Sequence, residues 1–146
     1  MSDRSEPAVR SDTRRPPELQ DAQEIVADIE RRWAITVRDD PAAISTTLYD
    51  SRAIFFGSKD EMFVGHREIA RYFADIQPGF VTEATFSNRA VSRLSDDIII
   101  SGAYVTFRLS RPEGPVDVPF RITFTIVKTK DGWRISQHHA SPRVHE

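Results

Sequence analysis

The sequence predicts an α+β domain in which three helices precede a long antiparallel meander. Before Phe80 the apolar residues recur at steps of three and four, the helical period; after it they alternate in twos, the strand period. The connections between the later segments are short: Ser95-Asp96-Asp97, Arg111-Pro112-Glu113-Gly114-Pro115 and Thr129-Lys130-Asp131-Gly132. Turns of that length join antiparallel neighbours. Helices first and strands last separates this pattern from the strict alternation of an α/β fold.

Residues 1–18 mix Arg4, Arg10, Arg14 and Arg15 with Asp3, Glu6, Asp12 and Glu18, and carry almost nothing apolar. Such a segment buries too little surface to offset its ordering entropy, so a disordered tail is expected over 1–18 and a single domain over 19–146. A partner-binding arm is the alternative use of that tail. The first helix is expected from Pro17 to Arg38, where Leu19, Ala22, Val26, Ile29, Trp33 and Val37 form one stripe. Asp40-Pro41 reads as an N-cap followed by proline at the first helical position, opening a short helix through Ile44 and Leu48 to Tyr49. Ala53-Ile54-Phe55-Phe56 reads as a short buried strand with Glu61-Met62-Phe63-Val64 as its hairpin partner. Gly65 opens a third helix with Ile69, Tyr72, Phe73 and Ile76 on one face, stopped by Pro78-Gly79. The strands that follow are expected over Glu83–Leu94, Ile98–Ser110, Val116–Lys128 and Trp133–Ser141. A long antiparallel sheet twists and coils, and helices packed across it leave a cone with room for a small apolar ligand.

Composition narrows the function. A net charge of −2 with interspersed arginines argues against nucleic acid, which needs a clustered basic surface. The absence of cysteine removes disulfides, thiol nucleophiles and cysteine metal sites, and fits a cytoplasmic protein. No apolar run reaches the roughly 18 residues of a membrane span, and the N-terminus lacks a signal-peptide core. There is no phosphate loop, nucleophile elbow or HExxH motif, and no metal or cofactor is expected.

The strands carry the candidate chemistry. Phe120, Ile122, Phe124 and Ile126 lie on one side of their strand, with Arg121, Thr123, Thr125 and Val127 on the other. The neighbouring strand sets Ala103, Val105, Phe107 and Leu109 against Tyr104, Thr106 and Arg108. Either the mixed face is in water, or both faces are covered and the mixed one lines a pocket. In the second case Arg108 and Arg121 are its leading polar residues, because an enclosed arginine needs an anionic or carbonyl-bearing partner. His138 and His139 face opposite sides, so they cannot share one metal. One of them is either a hydrogen-bonded residue near the sheet edge or a proton donor or base facing the pocket. Strict alternation from Trp133 and Ile135 selects His139 as the inward one. Trp33, Tyr49, Phe56, Phe63, Tyr72, Phe73 and Trp133 read mostly as core; Tyr49 and Tyr104 stand out because a buried phenol needs a partner and can direct one at a ligand.

The order of elements resembles the NTF2-like superfamily, which includes SnoaL-like polyketide cyclases, ketosteroid isomerase and the association domain of calmodulin-dependent kinase II. The resemblance spans about residues 19–144. It is carried by Trp33 with Asp40-Pro41, Gly65 before Ile69-Ala70-Arg71-Tyr72-Phe73, Ser101-Gly102-Ala103-Tyr104-Val105-Thr106-Phe107, Arg121-Ile122-Thr123-Phe124, and Trp133 through His138-His139-Ala140-Ser141. Together these are most similar to the SgcJ/EcaC group, named for proteins of antibiotic gene clusters, enediyne clusters among them. The resemblance implies a cone-shaped NTF2-like (cystatin-like) fold, with three helices on a strongly curved, mostly antiparallel sheet. It further implies a homodimer through that sheet and a role beside a polyketide synthase. Arg108 and Arg121 occupy strands comparable to those bearing pocket arginines in the kinase association domain. The pocket carboxylates of the isomerase and cyclases have no clear counterpart here, since Asp50, Glu83 and Asp117 lie near element ends.

The expected function is a small-molecule pocket protein of polyketide antibiotic biosynthesis that binds, shapes or cyclises a polyene or polyketide intermediate. The expected ligand contacts are Trp33, Tyr49, Phe56, Tyr72, Phe73, Tyr104, Thr106, Arg108, Arg121, Thr123, Trp133 and His139. Any chemistry would be cofactor-independent, with His139 and Tyr104 moving protons and Arg121 stabilising an enolate or carboxylate. A non-catalytic assembly or ligand-sensing domain similar to the kinase association domain is the alternative.

Overall fold

The computed structural model describes residues 21–144. The tail expected over 1–18 and the Pro17 helix start lie outside the described residues. Helix α1 (Ala22–Asp39) begins where the Asp21 carboxylate accepts a hydrogen bond from the Gln23 N–H at 2.7 Å, a side-chain N-cap. Its buried stripe is Ile25, Val26, Ile29, Trp33 and Val37, each side chain worth about 1.5–3 kcal/mol when removed from water. Pro41 then opens a 3₁₀ turn (Pro41–Ala43) that leads into α2 (Ile44–Leu48).

Tyr49, expected to end the second helix, instead starts β1 (Tyr49–Phe56). It does so because it pairs with Ile135 of the last strand, ahead of a register break that resumes at Ile54 opposite Gln137. Strand β2 (Met62–Val64) forms the hairpin partner, and α3 (Gly65–Ala74) follows directly. Gly65 has φ of +82°, which a side-chain-bearing residue takes only at a cost, so it is suited to this abrupt strand-to-helix junction. Ile69 and Phe73 are the buried side chains of α3.

Strands β3 (Val81–Ser95), β4 (Ile98–Leu109), β5 (Val116–Thr129) and β6 (Gly132–Pro142) form the expected meander. The six strands lie in the order β2-β1-β6-β5-β4-β3, with β1 and β6 parallel and all other neighbours antiparallel. The three helices lie against one face, where Ile99, Val105, Ile122, Phe124, Ile126 and Ile135 are buried.

Two irregularities change which side chains reach that face. Thr125 pairs with Gln137 and Ile126 with Ile135, leaving Ser136 as an extra residue in β6. In β3, Ser87 pairs with Tyr104 and Ala90 with Gly102, so Asn88 and Arg89 together stand opposite Ala103. Asn88 takes φ of +53° there, and Arg89 reaches Glu30 of α1: Nη2 and Nε donate to Oε1 at 2.7 and 3.1 Å. Glu30 is the buried carboxylate among the described residues. No helix among the described residues is long and apolar enough to cross a membrane.

Candidate functional site

A cavity of about 330 Å³ lies between the helices and the sheet. Its walls come from the buried Trp33 and Val37 of α1, Phe55 of β1, Phe73 of α3 and Ala140 of β6, and from the half-buried, inward Phe107 and Phe120 of β4 and β5. Its rim is polar: Ser58, Lys59 and Asp75 are exposed, and the Lys59 ammonium donates to Asp75 at 2.7 Å, holding the Asp75 carboxyl below its usual range. Tyr72 ties the rim together, its hydroxyl accepting from the Ser58 N–H at 3.0 Å and lying 2.9 Å from the Ser58 hydroxyl. Gly57 is required beside it, because a Cβ there would fall 2.6 Å from both the Phe55 ring and the Tyr72 hydroxyl.

One polar group reaches the buried part of this cavity, the His138 imidazole, 2% exposed. Its ring packs against Phe55 at 4.5 Å, Phe124 at 5.2 Å and Tyr49 at 5.9 Å between centroids. Behind it runs a hydrogen-bond chain. The Trp33 Nε1–H donates to the Tyr49 hydroxyl at 2.9 Å, and that hydroxyl lies 2.7 Å from His138 Nδ1. An indole N–H can only donate, so the Tyr49 oxygen is the acceptor in the first bond. The Tyr49 O–H is then directed to His138 Nδ1; the opposite arrangement would leave a buried hydroxyl proton unpaired at a cost of about 1–3 kcal/mol. His138 is therefore the tautomer protonated on Nε2, and that N–H has no hydrogen-bond partner among the described residues.

The electrostatics agree with a chain of neutral groups. Burial pushes the His138 pKa down to about 3, with a smaller contribution from neighbouring His139. Burial raises the Tyr49 phenol above its ordinary range, and the Trp33 hydrogen bond offsets this only in part. The site thus presents a fixed donor in an aromatic hollow, with charge confined to the rim.

Several candidates from the sequence take other positions. His139 is exposed and Phe56, its neighbour at 5.3 Å, lies with it on the outer face; His138 is the inward histidine. The extra residue at Ser136 inverts the alternation on which the choice of His139 rested. Arg108 and Arg121 are also exposed: Arg108 pairs with Asp117 at 3.1 Å, and Arg121 donates to the Ser141 hydroxyl at 3.1 Å. Both sit at outward positions of strands whose alternate residues, Phe107 and Ile122 among them, supply the inner face, so the reading of them as pocket cations is corrected. Tyr104, Thr106 and Thr123 share that outer face, where Arg143 stacks on the Tyr104 ring at 3.6 Å. Tyr104, Arg121, Thr123 and His139 do come together, but in a shallow outer groove, away from the cavity. Trp133 is half-buried at the far end of β6, with Arg93 5.8 Å from its ring.

Trp33, Tyr72 and Phe73 line the cavity, and Tyr49 stands behind its wall. Phe55, Phe107 and His138 were not singled out as ligand contacts. The alternation of β4 already placed Phe107 on the apolar side, whereas His138 needed the bulge to be known.

The chain resembles several solved structures. It matches a candidate calcium/calmodulin-dependent protein kinase II association domain from Xanthomonas campestris at 24% identity, over 90% of this chain and 94% of that one, with a TM-score of 0.77. The association domain of the C. elegans kinase matches at 14% identity over 82% and 94%, with a TM-score of 0.70. A candidate dehydratase of the NTF2-like family from Streptomyces avermitilis matches at 17% identity over 85% and 97%, with a TM-score of 0.72. At these identities the likeness establishes the fold. No curated protein matches the sequence. Residues 26–145 match the family described as the SnoaL-like domain, a span that takes in most of α1, the other two helices, the sheet and both residues of the Tyr49–His138 pair. The chain belongs to that family.

Proposed function

We propose that this protein binds a largely apolar small molecule, of the size and character of a polyketide intermediate, in the cavity beneath its sheet and holds it in a folded shape. The observation that carries this reading is the cavity itself: about 330 Å³ left open between Trp33, Phe55, Phe73, Phe107 and Phe120. Membership of the SnoaL-like family supports it. A cytoplasmic setting beside a polyketide synthase, in antibiotic and specifically enediyne biosynthesis, belongs to the same proposal and rests on the sequence resemblance.

Trp33 lines the cavity while Trp133 does not, so a ligand can be followed by its effect on Trp33 emission. In a Trp133→Phe background, apolar polycyclic or polyene compounds are expected to alter that emission saturably, and native mass spectrometry is expected to show one molecule bound per chain. Absence of saturable binding across such compounds removes the proposal.

The outer sheet face supports a second element of the reading, a homodimer. Ile54, Ile98 and Ile100 are 42%, 37% and 39% exposed, and the strand registers place them on the same outer face as Tyr104 and His139. If the chain were an assembly domain alone, light scattering would show a defined oligomer while the ligand titration stayed flat.

A further inference from the structure

We infer that the cavity selects ligands bearing a neutral hydrogen-bond acceptor, a ketone or similar carbonyl oxygen, which the Nε2–H of His138 meets at its buried end. This rests on the pocket reading above and adds the chemical class of the ligand.

The inference starts from the direction of the chain Trp33→Tyr49→His138. The indole fixes the hydroxyl and the hydroxyl fixes the imidazole, so Nε2 is a donor and cannot accept a proton without breaking the chain. That donor is buried, lines the cavity and is unpartnered among the described residues. Buried donors of this kind are paired in nearly all native proteins, so an unpaired one beside an open space points to what fills the space. The other polar groups around the cavity are at the rim, where Lys59 and Asp75 satisfy one another and Tyr72 is engaged with Ser58.

Each alternative ligand class is disfavoured by this arrangement. A carboxylate in the buried part would find no countercharge, and an ammonium would meet a donor. An alcohol could accept from Nε2–H, but its own proton would face aromatic walls. A ketone oxygen accepts without bringing a donor, and the rest of the molecule is matched by Trp33, Phe55 and Phe107. The same contact draws electron density toward the oxygen. No carboxylate among the described residues stands in the buried part to take a proton from the neighbouring carbon, so the donor orients and polarises the ligand rather than deprotonating it.

The test uses three compounds with one ring skeleton, 2-tetralone, 2-tetralol and tetralin, titrated calorimetrically into the intact protein. The ketone is expected to bind about tenfold tighter than the hydrocarbon, with the alcohol between them. The carbonyl stretch of bound 2-tetralone is expected to move to lower frequency than in an alkane solvent. Nitrogen NMR of the unliganded protein is expected to show the His138 proton on Nε2, a readout that needs no substitution. Equal binding of ketone and hydrocarbon overturns the inference and leaves the pocket reading intact, as does a His138 proton on Nδ1. Failure of all three to bind rejects the pocket reading and this inference together.

Discussion

The Glu30 carboxylate, 5% exposed, accepts two hydrogen bonds from Arg89, fastening the first helix to the bulge of β3. Neither residue has a partner near it in sequence, and both depend on the extra residue at Asn88–Arg89 for their meeting. Arg89→Ala leaves the carboxylate buried and uncompensated. The expected loss of stability is about 2–3 kcal/mol, less than for a fully enclosed pair because Arg89 is 31% exposed and partly screened by solvent. Urea denaturation checks it, and Glu30→Leu combined with Arg89→Met is expected to recover much of the loss.

Tyr49→Phe removes the middle of the Trp33–Tyr49–His138 chain with no change in the aromatic ring. Two buried groups, the Trp33 N–H and His138 Nδ1, then lack their partner, so a destabilisation of about 2–4 kcal/mol is expected from chemical denaturation. A cost below about 1 kcal/mol would mean that the chain contributes little to the fold.

Stability is expected to fall on acidification through His138. Its pKa is near 3 in the folded state against about 6.5 when unfolded, so between those values the unfolded chain binds the extra proton. The stabilising effect is complete above about pH 6.5 and is lost as the pH drops toward 3, with a slope of up to about 1.4 kcal/mol per pH unit. The urea midpoint of wild type should therefore fall more steeply from neutrality to pH 4 than that of His138→Phe. Comparing the two cancels what the carboxylates common to both contribute.

Gly57→Ala places a methyl group 2.6 Å from the Phe55 ring and the Tyr72 hydroxyl. Either the rim shifts or Tyr72 turns into the cavity. The expected result is weaker binding of apolar ligands together with a lower melting temperature, measured by calorimetry on the same samples.

Arg121→Ala and His139→Ala are expected to leave ligand affinity unchanged, because both side chains are on the outer face. Ile100→Glu on that face is expected to convert a dimer to a monomer in light scattering, with cavity binding retained. Loss of binding in His139→Ala would return the site to the outer groove.

The architecture could be read from the sequence because it depends on patterns that local chemistry enforces. The Val26–Ile29–Trp33–Val37 stripe, the Asp40-Pro41 break, Gly65 and the short turns at Asp96-Asp97 and Asp131-Gly132 each mark an element by themselves. The site was harder. Its donor is set by a one-residue offset at Ser136, and a serine in a strand carries no mark of being a bulge. The buried acid Glu30 was missed for a similar reason, since an isolated glutamate on a charged helix looks exposed until Arg89 is known to face it. Tyr49 was recognisable as a phenol needing a partner, but His138 lies 89 residues away and is brought to it by the parallel pairing of β1 with β6.

The spare residue at Ser136 divides the final strand into two stretches of opposite parity. Threaded with the same residues but no kink, the strand would turn His139 toward the helices and put His138 in water. Which imidazole the hollow contains is thus decided by backbone geometry: a kink one residue long exchanges the polar group of the pocket with every side chain left as it was.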